Sequence, residues 1–378
     1  MLKNHWAEVL DPKDPLVNIR KKGWDRFEEI GLPRPKQEAF QYFPLQKLIF
    51  PKLALRKSVD MRPVAGLVFI DGFFNEALSS VPAPLVCQPL DVAMRSYGLF
   101  LQNRLARAMK EETDPFAALN GAFQGRGAFL YVPPKCQIEM PLQMLHLFTG
   151  EEMASPRLML YLGREAKLHL VQSSQGKGFC NAVIDSVLDV GAELTFCDEG
   201  SSHFQAFRAT LKRDSRLKAL FFPKGEWTRH SIQVQLAEEN AEAAIFGLAR
   251  LEGDDQAHVH ATVEHIAPHT RSRQHFKNVL KEKSRSSFEG KILVRSEAQK
   301  TEAYQLNNNL LLSDEAQANA KPNLEIFADD VKASHGATVG QLDEEQLFYL
   351  RSRGLPLEQA KQWLVDGFCR EILDQVTR

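Results

Sequence analysis

Two histidines two residues apart, with a carboxylate four further on, form the most metal-like grouping in this 378-residue chain. In the segment from Ala257 to Glu264 apolar and polar residues alternate, so on a strand His258, His260, Thr262 and Glu264 share one face. Imidazole and carboxylate together suit a divalent ion. Alternate side chains on a strand stand about 7 Å apart, wide for a shared tetrahedral site, and the face is expected to be an exposed polar one. Asp329 and Asp330 are adjacent, which on a strand sends them to opposite faces; one is expected to turn or cap the chain rather than join a catalytic pair. Arg271, Arg273, Lys277, Lys281, Lys283 and Arg285 make a basic run, broken by Phe276 and Leu280, that reads as a solvated face. Cys87, Cys136, Cys180, Cys197 and Cys369 are scattered, with no CxxC pair, and fit small core residues better than a disulfide framework or a self-contained metal site. His335, between Ser334 and Gly336, is a lone imidazole at what reads as a strand end.

Other chemistries have no foothold in the motifs. The chain has no phosphate loop of the GxxxxGK[ST] type, no strand-linked GxGxxG and no GxSxG elbow. A non-catalytic component is expected. The net charge of -1 gives no electrostatic footprint for nucleic acid or an anionic membrane. No apolar run is long enough to span a bilayer, and MLKNHWAEVLDPKDP lacks the apolar core of a signal peptide, so a cytoplasmic location is expected.

The elements that must position these residues change character along the chain. Asp14 and Pro15 suit a helix start, followed by an apolar stripe of Leu16, Ile19, Trp24, Phe27 and Ile30 that ends at Gly31. The proline- and aromatic-rich stretch after it reads as a loop clamped onto the surface. A second helix is predicted over Leu99 to Lys110, and Asp114-Pro115 reads as a fresh cap and first turn. From about Gly125 to Ser313 short alternating runs dominate. Small-polar-apolar segments at Ala166, Ala192, Arg216 and Ala244 recur about every 25 residues, the rung length of a solenoid. A β-sandwich would also give many short strands, but Asn-Gly hairpin dipeptides are missing from this region. Near the end Leu324 to Asp329 alternates as a strand closed by Ser334-His335-Gly336. Asp343 with Gln346 and Gly354 then bound a helix, and Pro356 opens another whose apolar stripe reads Leu357, Ala360, Leu364, Phe368 and Ile372. This hairpin could cap the end of a solenoid or dock a partner.

Three segments carry a resemblance. ADDVKASHGATVGQLDEEQLFYLRSRG (Ala328 to Gly354), SRQHFKNVLKEKSRSSFEGKILVRSEAQKTEAYQLNNNLLLS (Ser272 to Ser313) and DPFAALNGAF with VPP (Asp114 to Pro134) are similar to blocks of the SufB/SufD family of iron-sulfur cluster assembly proteins, most like its SufD branch. At Glu38-Ala39-Phe40-Gln41-Tyr42 the usual acidic-Trp-Lys-Tyr wording is replaced. The resemblance implies a mainly β chain: a right-handed parallel β-helix over 125–339 between an N-terminal helical region, 1–124, and a C-terminal helical hairpin, 340–378. Asn307, Asn308 and Asn309 fit that fold, where amides stack between rungs.

The resemblance also implies a function. The chain would be a SufD-like subunit of the SufB-SufC-SufD scaffold, pairing with a SufB-like protein through the β-helix and with the SufC-like ATPase through the C-terminal helices. It implies a cluster-assembly interface at His335 and Ser334, with His335 as an iron ligand, and no cofactor held stably by the isolated chain beyond transient iron or cluster. Ala333 stands where many members have cysteine, so a thiolate there must come from the partner. Tyr349, Arg351 and Arg353 are the expected contacts to the ATPase, being aromatic and arginine types enriched at interface hot spots. A homodimer of the isolated chain stays open, as does a different function, a β-helical protein binding or processing a polysaccharide.

Overall fold

The computed structural model describes residues 2–34, 37–43, 45, 50–54, 56–57, 59, 61–200 and 203–376. Part of the proline-rich stretch after the first apolar stripe lies outside them. Among the described residues the strands form two sheets, of eleven and ten strands, and from Arg157 onward successive strands alternate between them. Each strand pairs in parallel with the one two places later, so the chain coils into a parallel β-solenoid of about seven turns with helices at both ends. Leu168, Leu194 and Leu217 stand in register on adjacent strands, which is the recurrence seen in the sequence; the residue that continues it is Ala243, so Ala244-Ile245 lies one and two steps past that register. The rungs lengthen along the chain: Asn181 lies opposite Phe204, 23 residues on, and Arg285 opposite Gln317, 32 residues on.

Each rung turns the same corner. Glu165, Gly191, Asp214, Asn240, His269 and Lys300 all adopt left-handed backbone, and each precedes a small buried residue such as Ala166, Ala192 or Ser215. The amide of each of these six residues donates to a carbonyl of the next corner, for example Asp214 to Glu239, so the corners are hydrogen-bonded like the strands. Between the sheets lies an apolar core that includes Phe196 stacked 4.9 Å from Phe207, and Phe276 4.9 Å from Phe288. Burying each such ring is worth about 1.5–3 kcal/mol.

On the outer face of the first sheet the charges alternate. Lys167, Glu193, Arg216, Glu242, Arg271, Glu302 and Lys332 occupy one register across seven strands. Neighbouring charges along this ladder are 2.9–3.9 Å apart. In the interior of the late rungs Asn309 stacks as expected, accepting from Asn278 at 2.7 Å and donating to the Thr338 carbonyl at 3.0 Å, whereas Asn308 alternates to the outer face and donates to the Thr338 hydroxyl at 2.9 Å.

The two ends differ. At the N-terminal side the strands Val64–Ile70 and Val86–Pro89 already belong to the sheets, so the β system begins well before Gly125, inside the stretch expected to be helical. The helix Val17–Ile30 starts two residues after its expected first position, Pro15; the Asp14 carboxylate accepts from the Leu16 amide at 2.9 Å and pairs with Arg20. Asp114 caps the helix Pro115–Phe123 as expected, and that helix packs on the second sheet. At the other end, the last helix lies along the outer face of the first sheet, and no helix among the described residues closes the final rung.

Candidate functional site

The final rung is made by the strands Gln317–Ile326 and Val331–Gly340, each the last in its sheet. Phe327 to Asp330 connect them, and the Asp330 amide is held by the Gln299 side chain at 2.9 Å. Asp329 and Asp330 therefore serve a turn. His335 does not end a strand, as its Gly336 neighbour had suggested, but sits in the middle of one. Val331, Thr338 and Val339 supply the β-branched residues that favour this extended run.

Orientation follows from register. His335 lies opposite Gln305, which is buried and points into the solenoid along with Ala303, Asn307 and Asn309. Directly paired residues project to the same face, so His335 points to the interior side of the end rung, and it is exposed because no rung covers it. Ser334 lies opposite the exposed Tyr304 and projects outward. The strand thus separates these two candidate residues onto opposite faces. Beneath His335, the Gln305 amide nitrogen donates to Gln274 at 3.3 Å, while the Gln305 amide oxygen lacks a partner. A polar column leads inward from the imidazole.

The two open edges are chemically unlike. The Gln317 amide donates inward to Ser284, so by alternation the even-numbered residues of its strand face outward, Pro322 among them. Proline has no N–H, which removes a donor from that edge. In the terminal strand the Asp330 carbonyl accepts inward from Lys300, so Val331, Ala333, His335, Ala337 and Val339 turn their peptide groups to the open side with no proline among them. Ile326, Phe327, Val339, Tyr304 and Leu306 leave apolar surface exposed around this end. An uncovered edge of this kind is a template for strand addition.

The His258 face is not exposed. Phe43 packs edge-on over His258 at 5.2 Å, and His258 is hydrogen-bonded to Ser287 at 2.7 Å. Burial, with Arg229 nearby, pushes the His258 imidazole down to about 3, and burial with Arg229 likewise pushes His260 down to about 4. Arg229 is paired with Asp114 and lies over the Phe40 ring, 4.3 Å from its centroid. So the N-terminal segment roofs the His258 end of the polar face, a long-range contact that strand alternation cannot reveal, while His260, Thr262 and Glu264 are half-buried. Among the described residues no three His, Cys, Asp or Glu side chains converge as a metal site. Cys180, Cys197 and Cys369 are buried, and burial pushes Cys197 up to about 12. A second buried pair has no local signal in the sequence: Asp198 and His230, 3.0 Å apart inside the solenoid.

The C-terminal hairpin is Glu344–Ser352 followed by Leu357–Leu373. Asp343 accepts from the amides of Glu345 and Gln346, and Gly354 is left-handed, as expected. The buried stripe of the second helix is rotated from the expected one: Ala360, Val365, Cys369 and Ile372 are buried, and Leu357 is exposed. The cause is the sheet face below, where Val365, Cys369 and Ile372 meet Phe246, Leu248 and Val279. The basic run is not simply solvated either. Lys277 is buried and donates to the Phe368 carbonyl at 2.9 Å, and Arg273 and Lys277 each lie 3.1 Å from Glu371, with His275 at 3.5 Å. Burial would push the Glu371 carboxyl up, but Lys277 and its neighbours bring it below its ordinary value. The first helix of the hairpin has no buried residue. Tyr349 and Arg351 are exposed on it and Arg353 just past its end, the Arg353 guanidinium 5.2 Å from the Tyr349 ring centre. Phe348 is more exposed still, at 74%, and Trp363 is exposed on the second helix. Their aromatic character was the signal available in the sequence.

Comparison with known proteins fits this geometry. Residues 146–368 match the family described as SUF system FeS cluster assembly, SufBD core domain, and residues 58–144 match the SufBD protein N-terminal region. The chain belongs to the SufBD family. It is 31% identical to an iron-sulfur cluster assembly SufBD family protein of Synechocystis, over 96% of this chain and 87% of that protein. It is 30% identical to the iron-sulfur cluster assembly protein SufD of Escherichia coli, over 91% of this chain and 85% of that one. It is also 30% identical to the chloroplastic protein ABCI7 of Arabidopsis thaliana, over 96% of this chain and 82% of that one. SufBD membership places the chain in iron-sulfur cluster assembly. No helix among the described residues is long and apolar enough to cross a membrane.

Proposed function

We propose that this chain is a SufD-like, non-catalytic scaffold subunit that pairs with a SufB-like protein through the open end of its solenoid and docks a SufC-like ATPase through its C-terminal hairpin. The observation that carries the reading is the uncapped terminal strand with His335 at its middle and unpaired peptide groups along its edge. A strand of the partner laid along this edge would leave His335 at the seam, where neutral imidazole is a good borderline ligand for iron. Ala333 offers no thiolate there, so sulfur ligands would come from the partner. Iron or a nascent cluster is cargo in this reading, held at the contact and passed on, with nothing kept by the isolated chain. The exposed Phe348, Tyr349, Arg351 and Arg353 support the hairpin as the ATPase contact. Free cysteines throughout the described residues suit a reducing cytoplasmic location.

Coexpression with the cognate SufB-like and SufC-like proteins, followed by mass measurement and metal analysis, tests the assembly. His335→Ala should leave the complex intact and its ATPase active while cluster formation falls by an order of magnitude or more. Normal cluster maturation in that variant would make the histidine structural.

A further inference from the structure

The alternating charges on the outer face of the first sheet stop at an unfinished step. Every interior member of the ladder has an opposite charge on both neighbouring strands; Glu302, for instance, lies 3.8 Å from Arg271 and 3.9 Å from Lys332. Lys332, on the edge strand, has Glu302 on one side and no strand on the other. Its side chain is 76% exposed. A strand added here would bring one residue directly opposite Lys332, on the same outer face and within reach of its ammonium group.

We propose that the partner strand which pairs with Val331–Gly340 carries an Asp or Glu in register with Lys332, and that this charge selects a different protein over a second copy of this chain. The inference deepens the pairing proposed above and rests on it. A second copy cannot complete the ladder. The ionisable side chains of the terminal strand are Lys332 and His335. An antiparallel overlap of two copies that uses the whole strand, centred near His335, sets Lys332 against Thr338 or Val339 of the other copy, neither of which is acidic. The competing edge, Gln317–Ile326, is blunted by Pro322, which leaves the Lys332 strand as the one able to accept a continuous neighbour. Backbone pairing supplies adhesion to any strand, whereas the single charge discriminates among strands.

The experiment measures association of the purified chain with its cognate SufB-like protein, and separately its self-association, for the native chain, Lys332→Glu and Lys332→Arg. Lys332 is exposed, so thermal unfolding should be the same for the native chain and Lys332→Arg and only slightly lower for Lys332→Glu, which faces Glu302. Lys332→Glu should weaken the heteromeric contact about tenfold or more, through like-charge repulsion, and abolish its weakening by added salt. Lys332→Arg should bind like the native chain, and self-association should be no weaker in Lys332→Glu. If Lys332→Glu binds the SufB-like protein as tightly and with the same salt dependence as the native chain, the charge rule is wrong while the pairing stands. If self-association alone is weakened, the ladder serves a homodimer and the rule is overturned. If the native chain does not bind the SufB-like protein at all, the pairing falls and the rule with it.

Discussion

Single imidazoles in this protein have opposite fates according to what covers them. His335 sits at an uncovered rung, whereas His146, His258 and His265 are buried. Burial holds His146 and His265 down to about 4 and His258, with Arg229 adding to the effect, down to about 3, against an ordinary value of 6.5. Between about pH 6.5 and pH 4 the unfolded chain therefore binds protons that the folded chain refuses. Stability is full above that window and falls as the pH drops through it, by at most about 1.4 kcal/mol per pH unit for each imidazole. Denaturant midpoints should be clearly lower at pH 5 than at pH 7, and His258→Gln should flatten that difference. An equal or higher midpoint at pH 5 would contradict this account. The burial of His258 was not legible in its own alternating strand, because the ring that covers it, Phe43, lies more than two hundred residues earlier. The strand pattern supplied the face; only the tertiary contact supplies its environment.

Elements were legible where their determinants are local. Asp114, Asp343 and Gly354 bound helices by contacts within a few residues, and each sits where its residue type predicts. The strand recurrence was readable because every rung must place apolar residues inward at the same step. By contrast, the facing of the last helix is set by the sheet below it, so the stripe inferred from spacing alone was rotated toward Leu357 and missed Val365 and Cys369. Val64–Ile70 is not legible for a related reason: one short apolar strand far from the repeats carries no periodic signal. The clamp on the last helix makes a test. Glu371 gathers Arg273, His275 and Lys277, and Lys277 is otherwise buried. Glu371→Gln should loosen the hairpin by roughly 1 kcal/mol, a modest figure because the carboxylate is half exposed. Limited trypsin digestion should then cut within Leu357–Leu373 several times faster while the solenoid resists as before; an unchanged cutting rate would show that the apolar contacts alone hold the helix.

At the scale of the molecule, the solenoid is asymmetric in a way that bears on assembly. One end is closed by antiparallel strands, Phe73–Phe74 on the first sheet and Val86–Pro89 on the second, and is flanked by helices pinned through Arg157, Arg208 and Arg229. The other end is left open, although the chain has two further helices that could have covered it. A stack of rungs that contact only their neighbours loosens from whichever end is unsupported. The terminal strand should therefore open first, and it should do so with a two-residue rhythm. In the isolated chain the amides of Ala333, His335, Ala337 and Val339 face the open edge without a strand partner and should exchange with solvent fast, while those of Lys332, Ser334 and Thr338, turned inward to Thr301–Leu311, should exchange more slowly. Amides of central rungs such as Phe204–Leu211 should be protected in every state. When the SufB-like partner binds, the fast set should slow by orders of magnitude and the rhythm should vanish, because each outward amide gains a carbonyl. Residue-resolved hydrogen exchange on the free chain and on the complex reads this directly. If the odd-numbered amides stay fast in the complex, the partner binds elsewhere, and the open edge with His335 at its centre is not the seam.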